Sequence, residues 1–95
     1  MPEISTESRI IKTGAQVSVH LDECVLILHL KDETYYRIDS SIGEFVWDLV
    51  DEPVSVRSII HGICTRYRVD ADVCEQHLLR LLNDLHLKSL IEITS

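Results

Sequence analysis

TYYRIDSSIGEFVWDLV, residues 34–50, carries two periodicities in one short run. Thr34 to Ile38 mixes aromatic, β-branched and polar residues in the alternation of a strand. From Ser40 the period changes. Phe45, Val46, Leu49 and Val50, with Ile42, form an apolar stripe at spacings of three and four, and Trp47 widens it. Ser41 and Glu44 have the spacing of a capping box, which predicts that the helix starts there. The strand thus runs into the helix through a pair of serines, with no glycine-rich loop and no metal ligands between them.

Working outward, Val17, Val19 and Leu21 alternate with Gln16, Ser18 and His20, the period-2 signal of a half-buried strand with its apolar residues inward. Asp22-Glu23 is a tight turn, and Cys24 to Leu30, rich in Val, Ile and Leu, reads as a central strand. Lys31-Asp32-Glu33 turns the chain into Thr34 to Ile38. Short turns between three strands predict an antiparallel meander.

On the other side, Pro53 ends the first helix and Ser55 caps a second, in which Ile59, Ile60, Ile63, Cys64 and Tyr67 face the core. Asp70 caps a third, from Ala71 to about His86, with Cys74, Leu78, Leu81, Leu82 and Leu85 on one side. Leu90 to Ile93 adds a short terminal strand, and residues 1–12 read as a frayed end. The expected class is α+β and winged-helix-like: a three-stranded antiparallel sheet followed by three helices, in a single domain over residues 1–95.

Composition narrows the function. Nine Lys plus Arg stand against sixteen Asp plus Glu, for a net charge of -7. A phosphate-binding surface needs clustered cations, so the balance argues against nucleic acid. The apolar run Cys24–Leu30 is far shorter than the roughly 18 residues of a membrane span, and no signal-peptide pattern opens the chain. The expectation is a cytoplasmic protein with no membrane partner. Three cysteines, odd in number and in apolar surroundings, suit reduced thiols.

His61-x-x-Cys64 and Cys74-x-x-His77 each place two ligand types on one helix face. The cysteines fall on the apolar stripes, however, where a small thiol packs well, so no metal and no cofactor is expected. No exposed thiolate stands beside a base, and no P-loop or G-x-G-x-x-G is present. The expectation is a protein without catalytic residues.

With these residues in view, the chain resembles the PqqD family, also known as RiPP recognition elements, over roughly residues 15–93. YYRID resembles the family's aromatic, apolar and Asp or Asn strand. SIGEFVWDLV is similar to its helix with an internal Gly and a buried aromatic. PVSVRSII is similar to the Pro-Thr-Val opening of its second helix, and YRVDADV to its Tyr-x-Val-Asp turn. Ser40-Ser41-Ile42 departs from the Asn and small residue of many members.

The resemblance implies a non-catalytic adaptor that binds the leader segment of a ribosomally made precursor peptide. The leader adds as a strand beside the third strand and lies against the third helix. Thr34, Tyr36 and Ile38 share one strand face, and Tyr35 and Arg37 the other. Tyr36 and Ile38 read as core, which leaves Tyr35 and Arg37 to line solvent or the peptide. The second face of the third helix, with Val73, Gln76, His77, Arg80 and Asp84, mixes apolar, aromatic and polar groups as a peptide groove does. Within this class the implied partners are those of lasso-peptide biosynthesis, a cysteine-protease leader peptidase and an ATP-dependent cyclase. Pyrroloquinoline quinone synthesis, with a radical SAM enzyme, is the alternative.

Two readings of other classes stand beside it. A winged-helix DNA-binding regulator would place the third helix in the major groove, but Asp72, Glu75 and Asp84 oppose phosphate approach there, against Arg80 alone. A structural domain that pairs weakly with itself through the third strand needs an unguarded edge, and Arg37 is the single charge in that strand.

Overall fold

A computed structural model describes residues 4–94. The meander forms as expected. β2 (Gln16–His20), β3 (Val25–His29) and β4 (Thr34–Ile38) make an antiparallel sheet in the order β2-β3-β4. Its register sets Ile27 against Tyr36 and Val25 against Ile38. The turn into β4 is held by a buried side chain. The His29 ring accepts the Asp32 N–H at Nδ1, 3.1 Å away, while Glu33 takes a left-handed backbone at φ 58°.

Three helices follow: α1 (Ser41–Leu49), α2 (Val56–Tyr67) and α3 (Ala71–Leu87). Ser55 and Asp70 cap α2 and α3, accepting N–H groups of their first turns, which would otherwise lack partners. At α1 the expected Ser41–Glu44 box gives way to Ser40. Its Oγ accepts the Gly43 N–H at 2.9 Å. Ser40 is still extended, at φ -125° and ψ 150°, so it holds the cap position that the first helical residue, Ser41, cannot. Arg68, left-handed at φ 53°, ends α2, and the short turn to Asp70 starts α3.

The architecture is α+β, with a second sheet beside the meander. β1 (Arg9–Lys12) lies between β5 (Val54–Ser55) and β6 (Ile91–Ile93), antiparallel to both. The expectation of a frayed opening segment therefore fails for Arg9–Lys12. Ile10 is fully buried, and Ile4 is nearly so. Residues 1–3 of that segment lie outside the described residues.

The core is one cluster. Trp47, Val46 and Val50 of the α1 region meet Ile59 and Ile63 of α2, Leu78, Leu82 and Leu85 of α3, and Val25 and Ile27 of β3. Trp47 lies at its centre, fully buried, with the Lys12 ammonium 4.4 Å from the ring centroid.

One strand is turned over relative to expectation. Val17, Val19 and Leu21 are exposed, while Gln16 and Ser18 are half-buried. The physical reason is pairing parity. The turn that joins Leu21 to Cys24 sets Ser18 opposite Ile27, whose side chain is in the core, and Val17 opposite Leu28, which is exposed. A shift of one residue would be needed to bring the valines inward.

Candidate functional site: an edge strand beside an apolar cavity

Among the described residues β4 pairs with β3 alone, which leaves its other edge open. An open edge presents a row of backbone N–H and C=O groups to any extended chain. The strand delivers its side chains to two different surroundings. Ile38 is buried and Tyr36 half-buried on the helix side, whereas Tyr35 and Arg37 are exposed on the other. Arg37 pairs there with Asp39 at 3.7 Å. Thr34, at the start of the strand, is exposed as well.

α3 flanks the helix side of β4. The Lys88 ammonium lies 6.0 Å from the Tyr36 ring centroid. Burial pushes the Tyr36 phenol above its ordinary value, and the Asp84 carboxylate adds to the effect by disfavouring a second negative charge. Tyr36 is therefore a neutral hydrogen-bond donor at physiological pH, set between an anion and a cation of the helix.

Beyond the end of β4 an apolar cavity of about 420 Å³ opens between the helices. Ser40, Ile42, Gly43 and Val46 line it from the α1 side, and Ile63 and Val69 from α2 and the turn that follows. α3 contributes Val73, Cys74, His77, Leu78 and Leu81. His77 shares the cavity wall with Ser40, while Asp84 and Lys88 lie by Tyr36, so α3 passes from the Ser40 end of β4 toward Tyr36 as its residue numbers rise. A chain lying along β4 would pass from the charged Asp84–Lys88 end to the mouth of the cavity. Mostly apolar walls with few polar groups are what hold and orient a small apolar side chain.

The sequence-derived residues divide on this geometry. Val73 and His77 line the cavity, and Asp84 acts on Tyr36. Gln76 and Arg80 are exposed and absent from the cavity wall. Ile38 is spent on the core, against Gly43. Leu81, assigned to the core stripe, is half-buried and lines the cavity; Ile42, Val69 and Lys88 were missed. The spacing 73, 77, 81, 84, 88 forms one continuous helical stripe, which was legible as a signal.

Cys64 and Cys74 stand close enough for their thiols to interact. Burial pushes the Cys74 thiol up, and the neighbouring Cys64 thiol adds to this. A raised thiol is a poor nucleophile. Among the described residues no group of three or more His, Cys, Asp or Glu side chains is placed to hold a metal ion. No helix there is long and apolar enough to cross a membrane.

Residues 24–91 match the family described as coenzyme PQQ synthesis protein D (PqqD). The chain is also similar to a solved structure described as TbiB1 in complex with the TbiA(beta) leader peptide. The two are 34% identical, with a TM-score of 0.79 over 90% of this chain and 98% of that one. No curated protein matches the chain.

Proposed function

The chain belongs to the PqqD family, and from that premise we propose that it is a non-catalytic adaptor for a ribosomally made precursor peptide. It binds the leader segment by strand addition to β4 and delivers it to modifying enzymes. The observation that carries this reading is the open edge of β4 beside an apolar cavity, on a chain similar to a protein solved with a leader peptide. Backbone pairing supplies affinity without selectivity, and the cavity supplies the choice of side chain.

The peptide-contacting residues proposed are Thr34 to Ile38 through their backbone, with Tyr36, Val73, His77 and Asp84 forming the side-chain surface. Tyr35, Gln76 and Arg80 flank it. Five strand residues at about 3.3 Å each template roughly 15–17 Å of leader. One or two aromatic, Leu or Pro side chains of the leader enter the cavity.

Within this role we favour lasso-peptide biosynthesis, where a cysteine-protease leader peptidase and an ATP-dependent cyclase receive the precursor. Pyrroloquinoline quinone assembly is the second reading, favoured by the description of the matching family. Genes for a leader peptidase and a cyclase found beside this one would support the first, and a gene for a radical SAM enzyme the second.

The test of binding is amide protection and chemical-shift mapping with a candidate leader peptide. Changes are expected at residues 34–38 and along 73–88, with α2 quiet. Shifts gathered instead on Arg57, Arg66 and α2, or appearing with DNA alone, overturn the reading.

A further inference from the structure

Two cysteines meet across the α2–α3 pair, and peptide binding gives their thiols no role. Cys64 sits in the last turn of α2 and Cys74 in the first turn of α3, on either side of Arg68–Asp70. The Cys64 carbonyl accepts the Arg68 N–H at 3.2 Å, and the Cys74 N–H donates to the Asp70 carbonyl at 2.9 Å. The backbone thus fixes both residues at the closed end of this helix pair, with their thiols in reach of one another. Cys74 is buried and belongs to the cavity wall, with Val73 and His77. Cys64 is half-buried, and the residue before it, Ile63, lines the same cavity from α2. A buried cysteine by itself packs as a small hydrophobe. A pair drawn from two helices, one member partly open to solvent, also has chemistry.

We infer that Cys64 and Cys74 form a reversible disulfide that narrows the cavity and releases the leader, which makes peptide capture sensitive to thiol redox state. The release rests on the strand-addition reading; the disulfide does not.

The oxidant is a low-molecular-weight disulfide such as glutathione disulfide. Cys64, the more exposed thiol, attacks as its thiolate. The small S–S bond breaks, a Cys64 mixed disulfide forms, and the departing thiolate takes up the proton that Cys64 gave. Cys74 then attacks Sγ of Cys64, and the second small thiol leaves with the Cys74 proton. Two protein thiols are oxidised to one disulfide while the small disulfide is reduced to two thiols. Burial holds the Cys74 thiol up, and the Cys64 thiol beside it adds to this. Once Cys64 is capped its contribution disappears, and the second step is intramolecular, which favours it strongly.

The consequence for the site is geometric. A disulfide sets its sulfurs about 2.05 Å apart, well inside the contact distance of two free thiols. Closing that gap draws the start of α3 toward the end of α2. Ile63 and Val69 then approach Val73 and His77 across the cavity. A close-packed interior passes such a shift on to its neighbours, and the space for a leader side chain shrinks. Reduction by a thiol reopens it.

Mass mapping and leader binding test the two halves separately. Native protein equilibrated with glutathione disulfide should yield, after trypsin, Ser58–Arg66 joined to Val69–Arg80, and dithiothreitol should separate them. The probe for release is the leader peptide that binds in the shift-mapping experiment. Oxidation should weaken its binding by about tenfold or more, and dithiothreitol should restore it. Cys64→Ser should bind this peptide within about twofold of the unsubstituted protein, which reports that it folds, and should not respond to oxidation. Absence of the joined peptides, or a disulfide to Cys24 in their place, overturns the proposal. So does leader binding that is unchanged or tighter in the oxidised protein, or a Cys64→Ser variant that loses affinity on oxidation as the parent does. Failure of the reduced protein to bind any leader overturns strand addition and, with it, the release; the joined peptides are read without a leader.

Discussion

Gly43 packs against Ile38 with no room for a side chain: a Cβ at Gly43 would lie inside van der Waals contact of Ile38 Cγ2 and 2.8 Å from Ser40 Oγ. This close approach seats the end of β4 on the first turn of α1. It also keeps Gly43 in the wall of the cavity. Ile38 is nearly buried and cannot retreat without disturbing the core. Gly43→Ala would gain up to about 1 kcal/mol of helix propensity and lose more to overpacking, typically about 1–3 kcal/mol. The expected outcome is a net loss of stability in urea denaturation, accompanied by weaker leader binding. A variant as stable as the parent would show that β4 and α1 are not clamped here.

Tyr36 should ionise above the ordinary tyrosine value of 10.0. In a Tyr35→Phe, Tyr67→Phe background the phenolate absorbance reports this residue alone. Adding Asp84→Asn should lower the midpoint part of the way, since burial is the larger cause and remains. The linkage has a definite sign. A phenol whose folded value is raised contributes stability in full below pH 10, and this is lost as the pH rises through and beyond that value. A midpoint at or below 10, or one insensitive to Asp84, contradicts the Tyr36–Asp84 contact.

Substitutions along α3 should separate by angle around the helix. His77→Ala removes a cavity wall and is expected to cost more than about 1 kcal/mol of leader binding. Its effect on folding should stay under about 0.5 kcal/mol, because the side chain is exposed. Arg80→Ala should weaken binding less, and Gln76→Ala least. Isothermal titration with matched thermal melts gives the ranking; equal effects for His77 and Gln76 would displace the groove from this stripe.

The thiols should be slow to alkylate. Cys74 is buried and its thiol is pushed up, and Cys24 is buried as well. Iodoacetamide at pH 8 should modify the native protein far more slowly than the urea-unfolded chain, in which three cysteines become available. Rapid native modification of Cys74 would mark an accessible thiolate and reopen the question of covalent chemistry.

Local features of the chain were legible because local physics sets them. Thr34–Ile38 is a strand to the residue, and Ser55 and Asp70 cap the helices they were assigned to, since side chains of those types satisfy the orphan N–H groups wherever a helix begins. The adjacency of edge strand and third-helix residues was less direct. It came from family resemblance, and spacing alone picked out Val73 and His77 without distinguishing them from Gln76 and Arg80.

The amino-acid sequence by itself determined the types and order of the three meander strands and three helices, because hydrophobic period and capping act within a few residues. Tertiary structure decided the rest. Ile10 pairs with Val54 and with Ile93, partners that no local pattern can nominate for so short a strand. The alternation in Gln16–His20 says that two faces differ, yet it cannot say which turns inward when β3 offers apolar residues on both. The pairing with Ile27 and Leu28 makes that choice, turning half-buried Ser18 inward and leaving Val17 and Val19 exposed. A strand's pattern has period two, and only its neighbours set the phase.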